Sequence, residues 1–370
     1  MKLVTINNIR PGMMVGTDIP ASTGNIALVR KGTILDRDLI GLMHKHNIPH
    51  AFIMTDSERA AAKRDAENAS APNRIYIPAP KPAVSAKLRD DALKDLGDIF
   101  KSAGIGASDI HASTAAIVKS IDSVVDRLTS ALDGQSLVNI MNLKSYDDYT
   151  YHHSLSVAVL TVAIGQRMGV GRDDLRRLAK GALLHDIGKT SVPVELINKP
   201  ARLNPEEFSI IKGHSGAGYD YLAGILAKDD EMLSAVLHHH EKMDGSGYPH
   251  GLKDFDIPLW SRIIAVADVY DALTSNRPYR TPLQPGETVE FLMAGIGKDF
   301  DYDVVDSFIK KVELYPVGST LELSNGKTGV VYNNENSLRP VVRVIPTGEI
   351  LDLYRDRSCL SIVVTRVVSV

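Results

Sequence analysis

Histidine is the residue type most able to do chemistry in this chain. Of twelve in all, eight (His152, His153, His185, His214, His238, His239, His240 and His250) fall between residues 152 and 250. Five segments each offer an imidazole, a carboxylate or both. They are Tyr151-His152-His153-Ser154-Leu155, His185-Asp186-Ile187-Gly188-Lys189, Gly213-His214-Ser215, His238-His239-His240-Glu241 and Ala267-Asp268-Val269-Tyr270-Asp271. Neutral imidazoles and carboxylates without thiolates suit iron, manganese, zinc or nickel rather than an iron–sulfur cluster. The adjacent pair His185-Asp186 carries weight because a carboxylate has two oxygens and can bridge two ions. Five histidines and two aspartates exceed what one tetrahedral or octahedral ion can use, so the surplus points to two metals.

Such residues must be gathered by the elements that carry them. From Ala86 to about Val312 the pattern is helical nearly throughout. Leu88, Ala92, Leu96, Ile99 and Phe100 recur at helix spacing, and Ile117, Ile121, Val124, Leu128 and Leu132 do so again. His153 through Met168 is apolar on most faces and predicts a buried central helix. Asn204-Pro205-Glu206-Glu207 predicts a helix start with Asn204 as N-cap and Pro205 at the first helical position. A helical bundle can bring side chains from several helices to one point in its core. No strand–turn–helix alternation and no GxxxxGK[ST] occurs here, which argues against a Rossmann or P-loop enzyme.

Smaller β-rich pieces flank that bundle. Residues 1–55 carry the turn signals Pro11-Gly12 and Thr23-Gly24-Asn25, a short helix capped by Asp36, and the apolar run Ala51-Phe52-Ile53-Met54. Residues 56–85, with Pro72, Pro78, Pro80 and Pro82, read as a linker. Residues 86–145 are a helical connector and 146–312 the part bearing the histidines. Residues 315–370 form a small β-barrel or sandwich, with Ser324-Asn325-Gly326 as a hairpin turn. The fold class is therefore mainly α, an all-helical core between N-terminal and C-terminal β modules.

Composition narrows the function. The chain has 370 residues, 44% hydrophobic and 24% charged, and a formal net charge of −3. That is the profile of a globular protein and excludes a polybasic binder of DNA or RNA polymers. The single cysteine, Cys359, permits no intrachain disulfide and no Cys-rich zinc module. The N-terminus lacks the apolar core of a signal peptide, and no apolar stretch reaches the ~18 residues of a spanning helix. A cytoplasmic protein is the expectation.

The motifs, taken in order, resemble those of one family. His185-Asp186-Ile187-Gly188-Lys189, a spaced His214, His239-His240-Glu241 and Asp244-Gly245-Ser246-Gly247-Tyr248-Pro249 are similar to the HD-GYP subgroup of HD-superfamily phosphohydrolases. The resemblance continues through Asp268-Val269-Tyr270-Asp271-Ala272-Leu273-Thr274 to Arg277-Pro278-Tyr279-Arg280, and covers roughly residues 146–312. It implies an HD-type bundle with a metal centre that opens cyclic di-GMP to linear pGpG and, in some members, continues to GMP. It implies the ligands His153, His185, Asp186, His214, His239, His240 and Asp268, with Asp186 between two metals. Lys189, Arg277 and Arg280 would meet phosphates, Tyr248 would shape the pocket, and Asp271 would sit near the water that attacks. Gly245 and Gly247 would let the loop backbone approach a nucleotide.

Members that hold three metals have a glutamate one helical turn before the residue matching His153. Tyr149 stands there, while Asp147 and Asp148 lie six and five residues upstream, off that face. Two divalent ions are therefore expected, iron or manganese first and zinc or nickel as alternatives. A metal pair would activate a shared water and clamp a phosphate oxygen for in-line attack. Lys189 and Asp271 are the candidate catalytic groups, Asp271 holding or accepting the water's proton.

Other readings stay open. The same metals would serve another cyclic dinucleotide or a nucleoside phosphate, and a non-catalytic sensor of cyclic di-GMP is the rival from outside the enzymes. His152 and His238 read as bystanders, and His250 simply follows the GYP motif. His44, His46 and His50 read as surface residues around a short helix. The Ile117 to Leu132 stripe reads as core, with a homodimer seam as its alternative.

Overall fold

The computed structural model describes residues 2–17, 19–20, 27–29, 33–46, 48–55, 82–103, 114–140, 143, 149–199, 201–226, 229–275 and 281–369. The stretch 56–81 read as linker, Thr23-Gly24-Asn25, Asp147, Asp148, Arg277 and Arg280 lie outside the described residues. The chain divides into two units, Met1–Tyr76 and Ile77–Val370.

In the first unit β1 (Lys2–Thr5) pairs antiparallel with β4 (His50–Ile53), and β2 (Ile19–Pro20) with β3 (Ala27–Val29). Helix α1 (Arg37–Lys45) starts where expected, because Asp36 accepts a hydrogen bond from the Leu39 amide at 2.8 Å. Val15, Leu35, Met43 and Ile53 form a small core under these elements.

The second unit is the helical bundle with its appended sheet. Helices α2 (Ala86–Ala103) and α3 (Thr114–Leu132) pack as a pair, burying Leu96, Ile99 and Phe100 from one and Ile121, Val124, Leu128 and Leu132 from the other. The α3 stripe is thus consumed by this chain's own core, as the core reading expects. Helix α4 (Tyr149–Arg167) runs through the middle, and every residue from His153 to Gly165 is buried. A helix apolar on all faces has no other stable place. Around it stand α5 (Arg172–Leu184), α10 (Leu259–Thr274) and α12 (Tyr302–Lys311).

Short helices carry the chain between these: α6 (Val194–Ile197), α7 (Pro205–Lys212), α8 (His214–Ile225), α9 (Asp230–His238) and α11 (Pro285–Ala294). The start of α7 is a reciprocal cap. Asn204 Oδ1 accepts from the Glu207 amide at 2.8 Å, and Glu207 Oε2 accepts from the Asn204 amide at 2.9 Å. Asn204→Ala is expected to cost about 1 kcal/mol, read as a lower urea midpoint at unchanged slope. Arg177 on α5 ties the start of α9, donating to both oxygens of its N-cap Asp229 at 2.8 and 2.6 Å. That guanidinium holds the Asp229 carboxyl below its ordinary range and also lies 4.9 Å from the Trp260 ring centre on α10.

The C-terminal strands β5 (Thr320–Leu323), β6 (Thr328–Asn333), β7 (Val341–Ile345), β8 (Ile350–Asp352) and β9 (Val364–Ser369) make one antiparallel sheet in the order β8-β7-β6-β5-β9. Alternating burial in β5, β6 and β7 turns one face to the core. The Val367 amide of β9 donates to Gln284 Oε1, the N-cap of α11, at 2.9 Å. Among the described residues no helix is long and apolar enough to cross a membrane.

Candidate metal centre

Each of the five segments that carry the imidazoles and carboxylates arrives from a different element. The first turns of α4 supply His153, and the end of α5 delivers His185-Asp186 into a tight turn, residues 187–191. His214 opens α8, His239 and His240 follow α9, and α10 carries Asp268 and Asp271 three residues apart on one face. Gly188 decides how near the 187–191 turn comes to α8. A Cβ there would stand 2.0 Å from the His214 carbonyl oxygen and 2.4 Å from the Gly218 nitrogen. Only glycine lets the two backbones touch, and that contact sets Asp186 beside His214.

The structure brings seven expected residues together as two adjoining groups, Asp186 with His214, His239 and His240, and His153 with His185 and Asp268. Within each group the nearest nitrogens and oxygens lie no more than 4.8 Å apart. Asp186 faces both. Its Oδ1 is 3.3 Å from His214 Nε2, and its Oδ2 is 3.4 Å from His185 Nε2 and 3.6 Å from His153 Nε2. His153 Nε2 is also 3.2 Å from Asp268 Oδ1.

The backs of the rings are fixed. The Nδ1 atoms of His185, His214 and His239 donate to the carbonyls of Ala182, Ile211 and Val236 at 2.8, 2.7 and 2.6 Å. His153 Nδ1 lies 2.8 Å from Asp271 Oδ2. A carbonyl can only accept, so the proton sits on Nδ1 and the Nε2 lone pair points into the cluster. Asp271 therefore meets the outer side of the His153 ring through Oδ2, while its buried Oδ1 has no hydrogen-bond partner. Its spacing from Asp268 fixed the helix face but not which ring nitrogen it would reach.

Charge and burial define what the cluster can accept. Burial, with the crowding of neighbouring imidazoles, pushes His239 far below its ordinary range, and burial takes His240 down to about 3. Both are neutral imidazoles near pH 7. Burial opposes ionisation of Asp186, yet Lys189 and His185 more than offset it and hold the carboxyl well below its usual range. Asp268 is likewise lowered against burial, chiefly by His153. For His153 burial again opposes the charge, but Asp268 and Asp271 prevail and lift it to about 9. The cluster is thus short of positive charge on its Asp268 side. Two atoms of the grouped residues test the fit of a cation directly: His185 Nε2 and Asp186 Oδ1, like Oδ1 of the adjoining Asp271, are buried with no hydrogen-bond partner. Such orphans cost about 1–3 kcal/mol each in a dry interior. Inward lone pairs and ionised carboxylates without thiolates fit divalent metal ions.

Lys189 Nζ lies 2.5 Å from Asp186 Oδ2. The loop after His240 brings Tyr248 over the cluster, its ring centre 4.7 Å from that of His240 at 30°. At Gly247 the backbone packs on the chain itself: a Cβ there would stand 2.4 Å from Glu241 Cα and 2.6 Å from the His240 carbonyl oxygen. Two neighbours escaped the sequence reading. Phe208, 44% exposed on α7, meets Tyr248 edge-on at 6.4 Å, and Lys212 Nζ lies 4.8 and 5.3 Å from the two ring centres. The available signal was a phenylalanine and a lysine four apart on one helix face. His152 is turned away, its Nδ1 2.8 Å from the Leu143 carbonyl.

A family model described as an HD domain matches residues 137–304, which contain all seven clustered residues. A cyclic di-GMP phosphodiesterase of Pseudomonas aeruginosa is 31% identical over 357 residues, covering 93% of this chain and 85% of that protein. A cyclic di-GMP phosphodiesterase of Thermotoga maritima is 37% identical over 177 residues, 47% of this chain and 48% of its own. A 3'3'-cGAMP-specific phosphodiesterase of Vibrio cholerae is 34% identical over 180 residues, 48% of this chain and 41% of its own. The bundle is thus an HD domain. The chain belongs to the HD-GYP family of HD-superfamily phosphohydrolases.

Proposed function

We propose that this chain is a metal-dependent phosphodiesterase that hydrolyses cyclic di-GMP to linear pGpG, with GMP as a slower second product. The observation that carries the reading is the position of Asp186, one oxygen toward each histidine group. Asp186, His214, His239 and His240 would hold one divalent ion, and His153, His185 and Asp268, with the second oxygen of Asp186, the other. Iron or manganese fits first, with zinc or nickel as alternatives. Two ions rather than three are proposed because Tyr149 brings no carboxylate one turn before His153. When bound, such ions make water nucleophilic near neutral pH and neutralise phosphate oxygens.

The chain's own residues do the rest. Asp271 holds the His153 ring through Nδ1 and fixes its tautomer. Lys189 places a positive charge at the rim, where it offsets charge developing on phosphorus, and Arg277 and Arg280 would meet the phosphates. Tyr248 and Phe208 offer a base a stacking platform with Lys212 beside it. Stacking is worth about 1–3 kcal/mol per base, so Phe208→Ala is expected to raise KM roughly 5- to 160-fold with a smaller change in kcat. An unchanged KM would remove Phe208 from the platform. The proposed domains are 1–55, a linker 56–85, a helical connector 86–145, the catalytic domain 146–312 and a β module 315–370, in a cytoplasmic protein. A homodimer would need a face other than the buried α3 stripe.

The relative specific for 3'3'-cGAMP supports a second reading, in which the substrate is a different cyclic dinucleotide. Protein loaded anaerobically with iron or manganese is expected to cleave cyclic di-GMP in preference to 3'3'-cGAMP and to carry near two ions per chain. Preference for the other dinucleotide would favour the second reading. Binding without cleavage would make the protein a sensor.

A further inference from the structure

Three of the eight clustered histidines take no part in the centre described above: His152, turned to the Leu143 carbonyl, and the pair His238 and His250. His238 ends α9, and His250 follows Tyr248-Pro249 in the next loop. The structure nevertheless sets His238 Nε2 2.9 Å from His250 Nδ1, with a carboxylate oxygen of Glu241 no more than 4.8 Å from both. His238 Nδ1 lies 2.9 Å from the Ser234 carbonyl, which can only accept, so its Nε2 presents a lone pair to His250. Glu241 is buried, and its oxygens accept from the amides of His250, Gly251 and Leu252 at 2.7, 3.1 and 3.1 Å. A carboxylate has about four acceptor positions, so three amides leave one. Nitrogens this close share either one proton or one cation.

We propose that His238, His250 and Glu241 form a second cation site, apart from the catalytic centre, for a late first-row divalent ion such as zinc. Two imidazoles and a carboxylate are a zinc-type donor set. Tetrahedral bonds of 2.0–2.1 Å put two nitrogens about 3.3 Å apart, so the pair need open by only a few tenths of an ångström. His250 is solvent-exposed, so an ion reaches the site from water without passing the catalytic cluster. Once bound, it joins the end of α9, next to His239 and His240, to the loop that carries Tyr248. A ligand held only by the folded state raises its stability.

The test uses the full chain holding its catalytic metals, titrated with zinc alone while bound zinc and the original metals are both counted. One further zinc per chain is expected with the original metals retained, together with a higher melting temperature. His250→Ala and His238→Ala should each weaken that zinc at least tenfold and abolish the thermal shift while retaining basal hydrolysis. Equal zinc uptake by parent and variants, no extra zinc in the parent, or zinc gained only as the original metals are lost would each overturn the site. None of these outcomes bears on whether the seven-residue centre hydrolyses a dinucleotide, which the parent's turnover before zinc reports separately.

Discussion

Asp186→Asn is expected to abolish turnover of cyclic di-GMP and to strip metal from both histidine groups at once. Asparagine keeps the shape of the side chain but removes its charge and replaces one acceptor oxygen with a donor. Because Oδ1 faces His214 and Oδ2 faces His185 and His153, the change is felt on both sides. A loss of at least ~10³-fold in kcat corresponds to about 4 kcal/mol of transition-state stabilisation. Metal content should fall below one ion per chain by elemental analysis. The helices themselves should survive, since Oδ1 has no hydrogen-bond partner and the one bond to Oδ2, from the half-buried Lys189, can be kept by the asparagine oxygen. Full metal content with lost turnover would make Asp186 a catalytic group and not a bridge.

Gly188→Ala is expected to be the most damaging single methyl in the bundle. The new carbon would lie 2.0 Å from one backbone atom of α8 and 2.4 Å from another, and neither can rotate away. The 187–191 turn and α8 would have to separate. Overpacking of this severity reaches about 3 kcal/mol or more, or a melting temperature lower by roughly 6–12 °C. The same separation pulls Asp186 from His214, so activity and metal affinity should fall with stability. Gly216→Ala is the control. It lies on the same helix with open space around it, and the substitution should stabilise slightly, by about 0.5–1 kcal/mol. Similar melting temperatures for the two variants would refute the steric account.

The order of chemistry-bearing motifs was legible because metal chemistry restricts residue type as well as spacing. Asn204, Asp36 and the Ser324-Asn325-Gly326 turn were legible because caps and turns are local, decided within four residues. What could not be read was orientation across the bundle. Asp268 and Asp271 share a face of α10, yet one reaches the inner side of His153 and the other its outer side. Only the packing of α10 against α4 decides that. Gly247 was read as a place where backbone could near a nucleotide, and nothing in the sequence signals that it packs on the chain's own Glu241 and His240. Phe208 stood unnoticed because its partner, Tyr248, is forty residues away and a single exposed aromatic carries no signal of its own.

The hydrogen bond from Val367 to the cap of α11 joins residues 83 positions apart. On a ribosome adding about 5–20 residues per second, Gln284 emerges roughly 4–17 s before the strand that completes its cap. For that interval the Gln284 side chain of the nascent bundle lacks the donor that the distant sheet later brings to it.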